Sequence, residues 1–143
     1  MHKPKFFSIL LVNSLLASML LTACSQQALR DETLPLAERL AVLGFRQGEP
    51  VKSVWQVDID GWQYLDKSHM VLGSGPGRSY LVEFSYPCRN LNFSNLITCS
   101  TTVDSLTTLD KIVSIDSGGF PEHCLIGEIY RLEQVPRVKA AAS

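Results

Sequence analysis

The chain has 143 residues, 13 basic and 14 acidic, for a formal net charge of −1, and it contains no basic cluster of the kind that tracks phosphates. Nucleic acid is therefore excluded as an expected partner. With 45% hydrophobic residues it is long enough for one modest core, and its four cysteines make the redox compartment the first question.

Reading from the start, Lys3 and Lys5 precede an apolar run over residues 6–21, the plan of an export signal. Ser8, Asn13, Ser14 and Ser18 interrupt the run, which is short for the roughly 20 apolar residues that a membrane-crossing helix needs. The run closes on Leu21-Thr22-Ala23-Cys24, which resembles the lipobox of bacterial lipoproteins. That resemblance implies cleavage of a signal peptide over residues 1–23 and a thioether-linked diacylglyceryl group on Cys24, often with a third, amide-linked acyl chain. Each buried methylene contributes about 0.8 kcal/mol, so two or three chains hold a protein at a bilayer where one does so only marginally. Ser25 rather than Asp follows the cysteine, and similarity to lipoproteins of two-membrane bacteria implies the outer membrane, facing the periplasm. Removing residues 1–23 leaves 120, and losing Lys3 and Lys5 takes the charge from −1 to −3.

Residues 24–32 read as the lipidated cysteine and a polar tether. A helix is expected from Thr33 or Leu34, with Pro35 in its first turn, Leu36, Leu40 and Leu43 on one face, Glu38 and Arg39 on the exposed side, and Gly44 ending it. Residues 51–59 alternate, with Val51, Ser53, Trp55, Val57 and Ile59 as the inward set. Asp60-Gly61 reads as a hairpin turn leading back through residues 62–65, and Asp66-Lys67-Ser68 as a second turn into residues 69–73. A glycine-rich loop, residues 73–78, precedes a strand in which Tyr80, Val82 and Phe84 share a face. Residues 91–97 read as a helical turn or two, residues 98–103 and 111–116 as strands, the second with Val113 and Ile115 inward. A last strand is expected over residues 123–132 and a flexible tail over 133–143. The sum is one domain, residues 33–132, mainly β with a short N-terminal helix: a small antiparallel meander or partly open barrel of six or seven strands.

Asp60-Gly61-Trp62, Ser79-Tyr80-Leu81-Val82, Cys88-Arg89-Asn90-Leu91, Leu109-Asp110-Lys111-Ile112 and Cys124-Leu125-Ile126-Gly127-Glu128-Ile129 resemble a bacterial envelope family, the domain of unknown function family 6491. The resemblance covers residues 51–132 and implies a small exported domain with recurrent cysteines at 88 and 124, Cys99 being an addition. It implies no activity.

With Cys24 lipidated, an odd number of cysteines remains, Cys88, Cys99 and Cys124, so one pair and one free thiol is the simplest outcome. The recurrent positions make Cys88 with Cys124 the expected disulfide and Cys99 the free thiol; pairings through Cys99 are the rivals. A zinc or copper(I) site from Cys88, Cys99, His123 and Cys124 has suitable ligand types, but no Cys-x-x-Cys spacing, and adjacent strand residues point to opposite sides. Cys99 with His69 or His123 as a nucleophile and base lacks a third orienting group. In the glycine-rich loop Pro76 has no N–H to offer a phosphate. Asp58, Asp60 and Asp66 lack the spacing of a calcium loop and read as solvated turn residues, and Trp55, Trp62, Tyr64, Tyr80 and Phe84 as core. No cofactor is expected. The whole predicts a membrane-anchored cell-envelope module with a binding, assembly or maintenance role and another envelope component as partner. The alternatives are a thiol- or metal-dependent periplasmic enzyme, or a small-molecule carrier with a pocket between sheet and helix.

Overall fold

The computed structural model describes residues 32–73, 78–93, 95–101 and 104–138. The export signal, Cys24 and residues 74–77 of the glycine-rich loop lie outside them. Helix α1 spans Leu36–Leu43. Pro35 precedes its first residue, where the missing N–H costs nothing, and Gly44 ends it in the left-handed conformation, φ 85°. Too short to persist alone, it is held by packing: Leu36, Leu40 and Leu43 meet Leu65, Val71, Leu81 and Leu132.

Nine strands follow among the described residues: β1 Phe45–Pro50, β2 Ser53–Trp55, β3 Trp62–Tyr64, β4 His69–Leu72, β5 Tyr80–Phe84, β6 Leu96–Cys99, β7 Ser105–Thr107, β8 Lys111–Ile115 and β9 Pro121–Gln134. Seven form one antiparallel sheet in the order β3-β4-β5-β9-β8-β6, with β1 also on β9, and this sheet curls into a half-barrel. The long strand β9 makes this possible. One of its edges pairs β5, and the other pairs first β8 and then β1. Between Glu83 and Phe84 of β5 the register slips, so that Glu128 and Ile126 of β9 oppose consecutive residues and Gly127 is the extra one. A Cβ on Gly127 would lie 3.1 Å from the Ser85 nitrogen, so glycine suits this bulge. Both Ile126 and Ile129 thereby turn inward, at 3% and 0% exposure.

The concave face carries the main core, with Tyr64, Met70, Leu72, Val82, Phe84, Leu91, Ile112 and Ile129, and the small β2–β7 sheet adds Val54 and Leu106 to it. Helix α1 covers part of the convex face. Half-barrel and short early helix both match the sequence expectation of a mainly β, partly open barrel, with a second, smaller apolar cluster packed under α1.

Several local expectations fail, each for a packing reason. Strand β2 stops at Trp55 and a 3-10 turn, Gln56–Asp58, follows. Its inward residue is Val54, and Trp55 is 63% exposed. Asp60-Gly61 does not join a hairpin, because β2 pairs β7 rather than β3. In β8 the buried residues are Ile112 and Ser114, not Val113 and Ile115; the buried amide of Asn95 donates to the Ser114 hydroxyl, which lets a serine sit inside. Residues 91–93 are an irregular loop and turn instead of a helix, and β6 begins at Leu96. Nor does the chain fray at Glu133: β9 runs to Gln134, and the Val135 and Val138 amides donate to the Gly44 and Ala41 carbonyls.

Candidate functional site

Cys88 lies in the connection after β5 and Cys124 in β9, both buried, with Cα atoms 5.5 Å apart and their sulfurs in bonding contact. That separation is the usual one for a disulfide. Glu122 sits two residues before Cys124, hence on the same side of the strand, and its carboxylate accepts the Arg89 and Asn90 amides. It also lies 3.3 Å from the Cys88 sulfur. The connection is thus fixed to β9 twice, by sulfur and by carboxylate. The ligand atoms of Cys88, Glu122 and Cys124 lie within 4.8 Å of one another, but sulfurs bonded to each other have no thiolate to offer a cation.

The four-residue metal cluster expected as a rival does not assemble. His123 is exposed on the opposite side of β9 from Cys124. Cys99 faces Ile112, which in turn faces Cys124, so a whole strand separates the two sulfur-bearing residues. Burial raises the Cys99 thiol above its ordinary value, and Asp110 raises it further, which keeps it protonated near neutral pH. Neither histidine serves it as a base: His69 is held by Asp66, and His123 lies on the outer face.

Cys99 instead lines a slot. Strands β3 and β6, the two ends of the sheet's main path, both line a partly open pocket of about 280 Å³. Ile59, Trp62, Leu72 and Ile97 give it an apolar lining, Gln56 and Thr98 supply its polar atoms, and none of its lining residues is charged. Such a surface can hold a neutral, largely apolar group by exclusion of water, with the Gln56 amide for orientation. Of the aromatic set read as core, Tyr64, Tyr80 and Phe84 are buried; Trp62 is half-buried in the slot and Trp55 is outside.

A second polar cluster was not legible as such. Arg39, expected on the exposed side of α1, is 5% exposed. It donates to the Leu65 carbonyl at 2.8 Å and pairs with Asp66 at 2.7 Å. Asp66 also accepts from the Ser68 amide at 2.7 Å and contacts His69 Nδ1 at 2.9 Å. Burial alone would raise the Asp66 carboxyl; His69, the Ser68 amide and Arg39 outweigh it and hold the group down at about 2. The cluster bolts α1 to the β3–β4 turn. The signal that could have found it is spacing: residue 39 lies three after Leu36 and four before Leu43, on the flank of the buried stripe.

No helix among the described residues is long and apolar enough to cross a membrane. The model of a family of unknown function, DUF6491, matches residues 7–143. No curated protein and no solved structure matches the chain.

Proposed function

The chain belongs to the DUF6491 family, which carries no assigned activity, and from that premise we propose that it is a lipid-anchored cell-envelope module that binds a partner rather than transforming one. The slot between β3 and β6 carries this reading. It is a concave surface bounded by β3 and β6 whose lining carries no charged residue, and its one ionisable group, the Cys99 thiol, is pushed up by burial, which favours binding over acid–base or nucleophilic chemistry. Location is supported by the apolar run ending in Leu21-Thr22-Ala23-Cys24, and an oxidising compartment by Cys88 and Cys124 at disulfide separation. On this reading the acyl chains on Cys24 hold the domain at the outer membrane, facing the periplasm, and the slot receives a segment of another envelope component.

Photocrosslinking in cells tests the role. A photoreactive amino acid in place of Ile97, on the slot wall, should give a discrete adduct with an envelope protein, whereas the same group at Val138, 58% exposed and beside α1 on the convex face, should not. Equal adducts from both positions, or none from position 97, overturn the reading. Fatty-acid labelling tests the anchor separately: label should enter the natural chain and be lost in Cys24→Ala.

A small-molecule carrier is the second reading, favoured by the same slot. Its pocket is then between edge strands and not between sheet and helix, because Leu40, Leu65 and Leu81 fill the latter space to 1% exposure or less. A neutral naphthylamine probe that quenches Trp62 and is displaced by a fatty acid would favour the carrier. The thiol enzyme is disfavoured by the raised Cys99 thiol, and rapid alkylation of Cys99 near neutral pH would revive it.

A further inference from the structure

Three connections lie together at one end of the half-barrel: the β3–β4 turn, the β5–β6 connection over residues 85–95, and the β8–β9 turn over residues 116–120. The register places them there, since His69 faces Glu83, Phe84 faces Ile126, and Ile115 faces both Leu96 and Pro121. Four large apolar side chains meet water at this end. Tyr86 is 74% exposed, Phe93 48%, Leu96 67% and Phe120 69%. Exposed Arg89 stands among them.

The described chain begins at the same end. The Glu32 carboxylate accepts the Tyr64 hydroxyl, and the Tyr64 ring meets Phe93 edge-on with centroids 4.4 Å apart. Lys67 Nζ lies 5.7 Å from the centre of that Tyr64 ring. Residue 32 therefore enters the domain beside Phe93. Eight residue steps separate it from Cys24, a reach of at most about 29 Å when fully extended. An anchor at Cys24 accordingly tethers the domain by this end, within about 29 Å of the bilayer. Aromatic side chains with nearby lysine and arginine are what the headgroup layer of a membrane accepts, apolar ring inward and charge outward.

We propose that this end of the domain rests on the lipid surface that holds Cys24, with Tyr86, Phe93 and Phe120 entering the headgroup layer. The proposal depends on the anchor reading of Cys24 and adds an orientation to it. Trp62 and Cys99, at the far ends of β3 and β6, then place the slot away from the bilayer, open to the aqueous space.

Tryptophan quenching by brominated lipid tests the orientation. The mature chain, Trp55→Phe throughout, is placed in phosphatidylethanolamine and phosphatidylglycerol vesicles containing a dibrominated phosphatidylcholine. Residue 24 carries its own acyl chains or, if cells leave it bare, a diacyl lipid coupled to its thiol in a Cys99→Ser background. In either case flotation with the vesicles precedes the measurement, so a missing modification in cells counts against the anchor reading and leaves the orientation testable. Phe93→Trp and Phe120→Trp should each lose roughly half of the added emission, because interfacial side chains sit about 5–10 Å into the headgroup boundary. Leu109→Trp, at the opposite end of β8, should keep its emission. Equal quenching at all three sites, or none at residues 93 and 120, overturns the proposal.

Discussion

Arg39 shows what a single buried charge does in this fold. It bridges the helix and the β3–β4 turn through Asp66, and removing Asp66 leaves a buried guanidinium without its carboxylate, a loss of about 3–5 kcal/mol, whereas Asp66 without Arg39 keeps the Ser68 amide and His69. Asp66, held chiefly by His69 and the Ser68 amide and also by Arg39, sets an acid limit as well. The Asp66 carboxyl titrates at about 2 in the fold against 3.8 in the free side chain, so as pH falls the unfolded chain takes up its proton first. Its contribution, on the order of 2 kcal/mol, is whole above about pH 5 and is lost as pH falls towards 2. Urea midpoints measured from pH 7 to pH 2 should show this loss, and Asp66→Asn should begin lower and lack that part of the slope; parallel curves would contradict it. Neither partner was legible alone. Arg39 looks like a solvated helix residue and Asp66 like a turn residue, and only the packing of α1 against that turn makes them a pair.

At the scale of elements, legibility followed the strength of the pattern. The Leu36, Leu40 and Leu43 stripe, the shared face of Tyr80, Val82 and Phe84 in β5, and the presence of a last strand were all readable. Strand β1 was not, because Phe45-Arg46-Gln47-Gly48-Glu49-Pro50 has no period and becomes a strand only when β9 offers an edge. The inner face of β8 was misread because apolar residues occupy both of its faces, and a hydrogen bond from Asn95 decides for Ser114 over Val113. Glycines separate in the same way. Gly73 has φ 78°, and a Cβ there would fall 2.0 Å from the Arg78 carbonyl, so Gly73→Ala should cost more than the roughly 1–2 kcal/mol of the backbone conformation itself. Gly61 has no positive φ and open space around it, so Gly61→Ala should be neutral or gain up to about 1 kcal/mol. Thermal unfolding of the two variants side by side checks both signs. Joining the β5–β6 connection to β9 through Cys88 and Cys124 closes a span of 36 residues, and replacing both cysteines with serine should lower stability by about 3–4 kcal/mol in urea titrations. Non-reducing peptide maps should show the 88–124 linkage, and a bridge containing Cys99 would refute it.

At the scale of the molecule, a partly open barrel was readable from short strands and frequent turns, while strand order was not. Local pattern does not record that β2 leaves its sequence neighbour β3 for β7, or that β1 and β9 join residues 45 and 134. The slot and the apolar end were illegible for the same reason. Each is assembled from residues far apart in sequence, Trp62 with Cys99 in one and Tyr86 with Phe120 in the other.

Three of the other strands, β1, β5 and β8, wait for a partner that is synthesised last. Until residues 121–134 leave the ribosome none of them has its β9 neighbour, and native pairing across such long separations is intrinsically slow. The half-barrel therefore cannot close before residues 121–134 are available, although β3, β4 and β5 can pair with one another ahead of it.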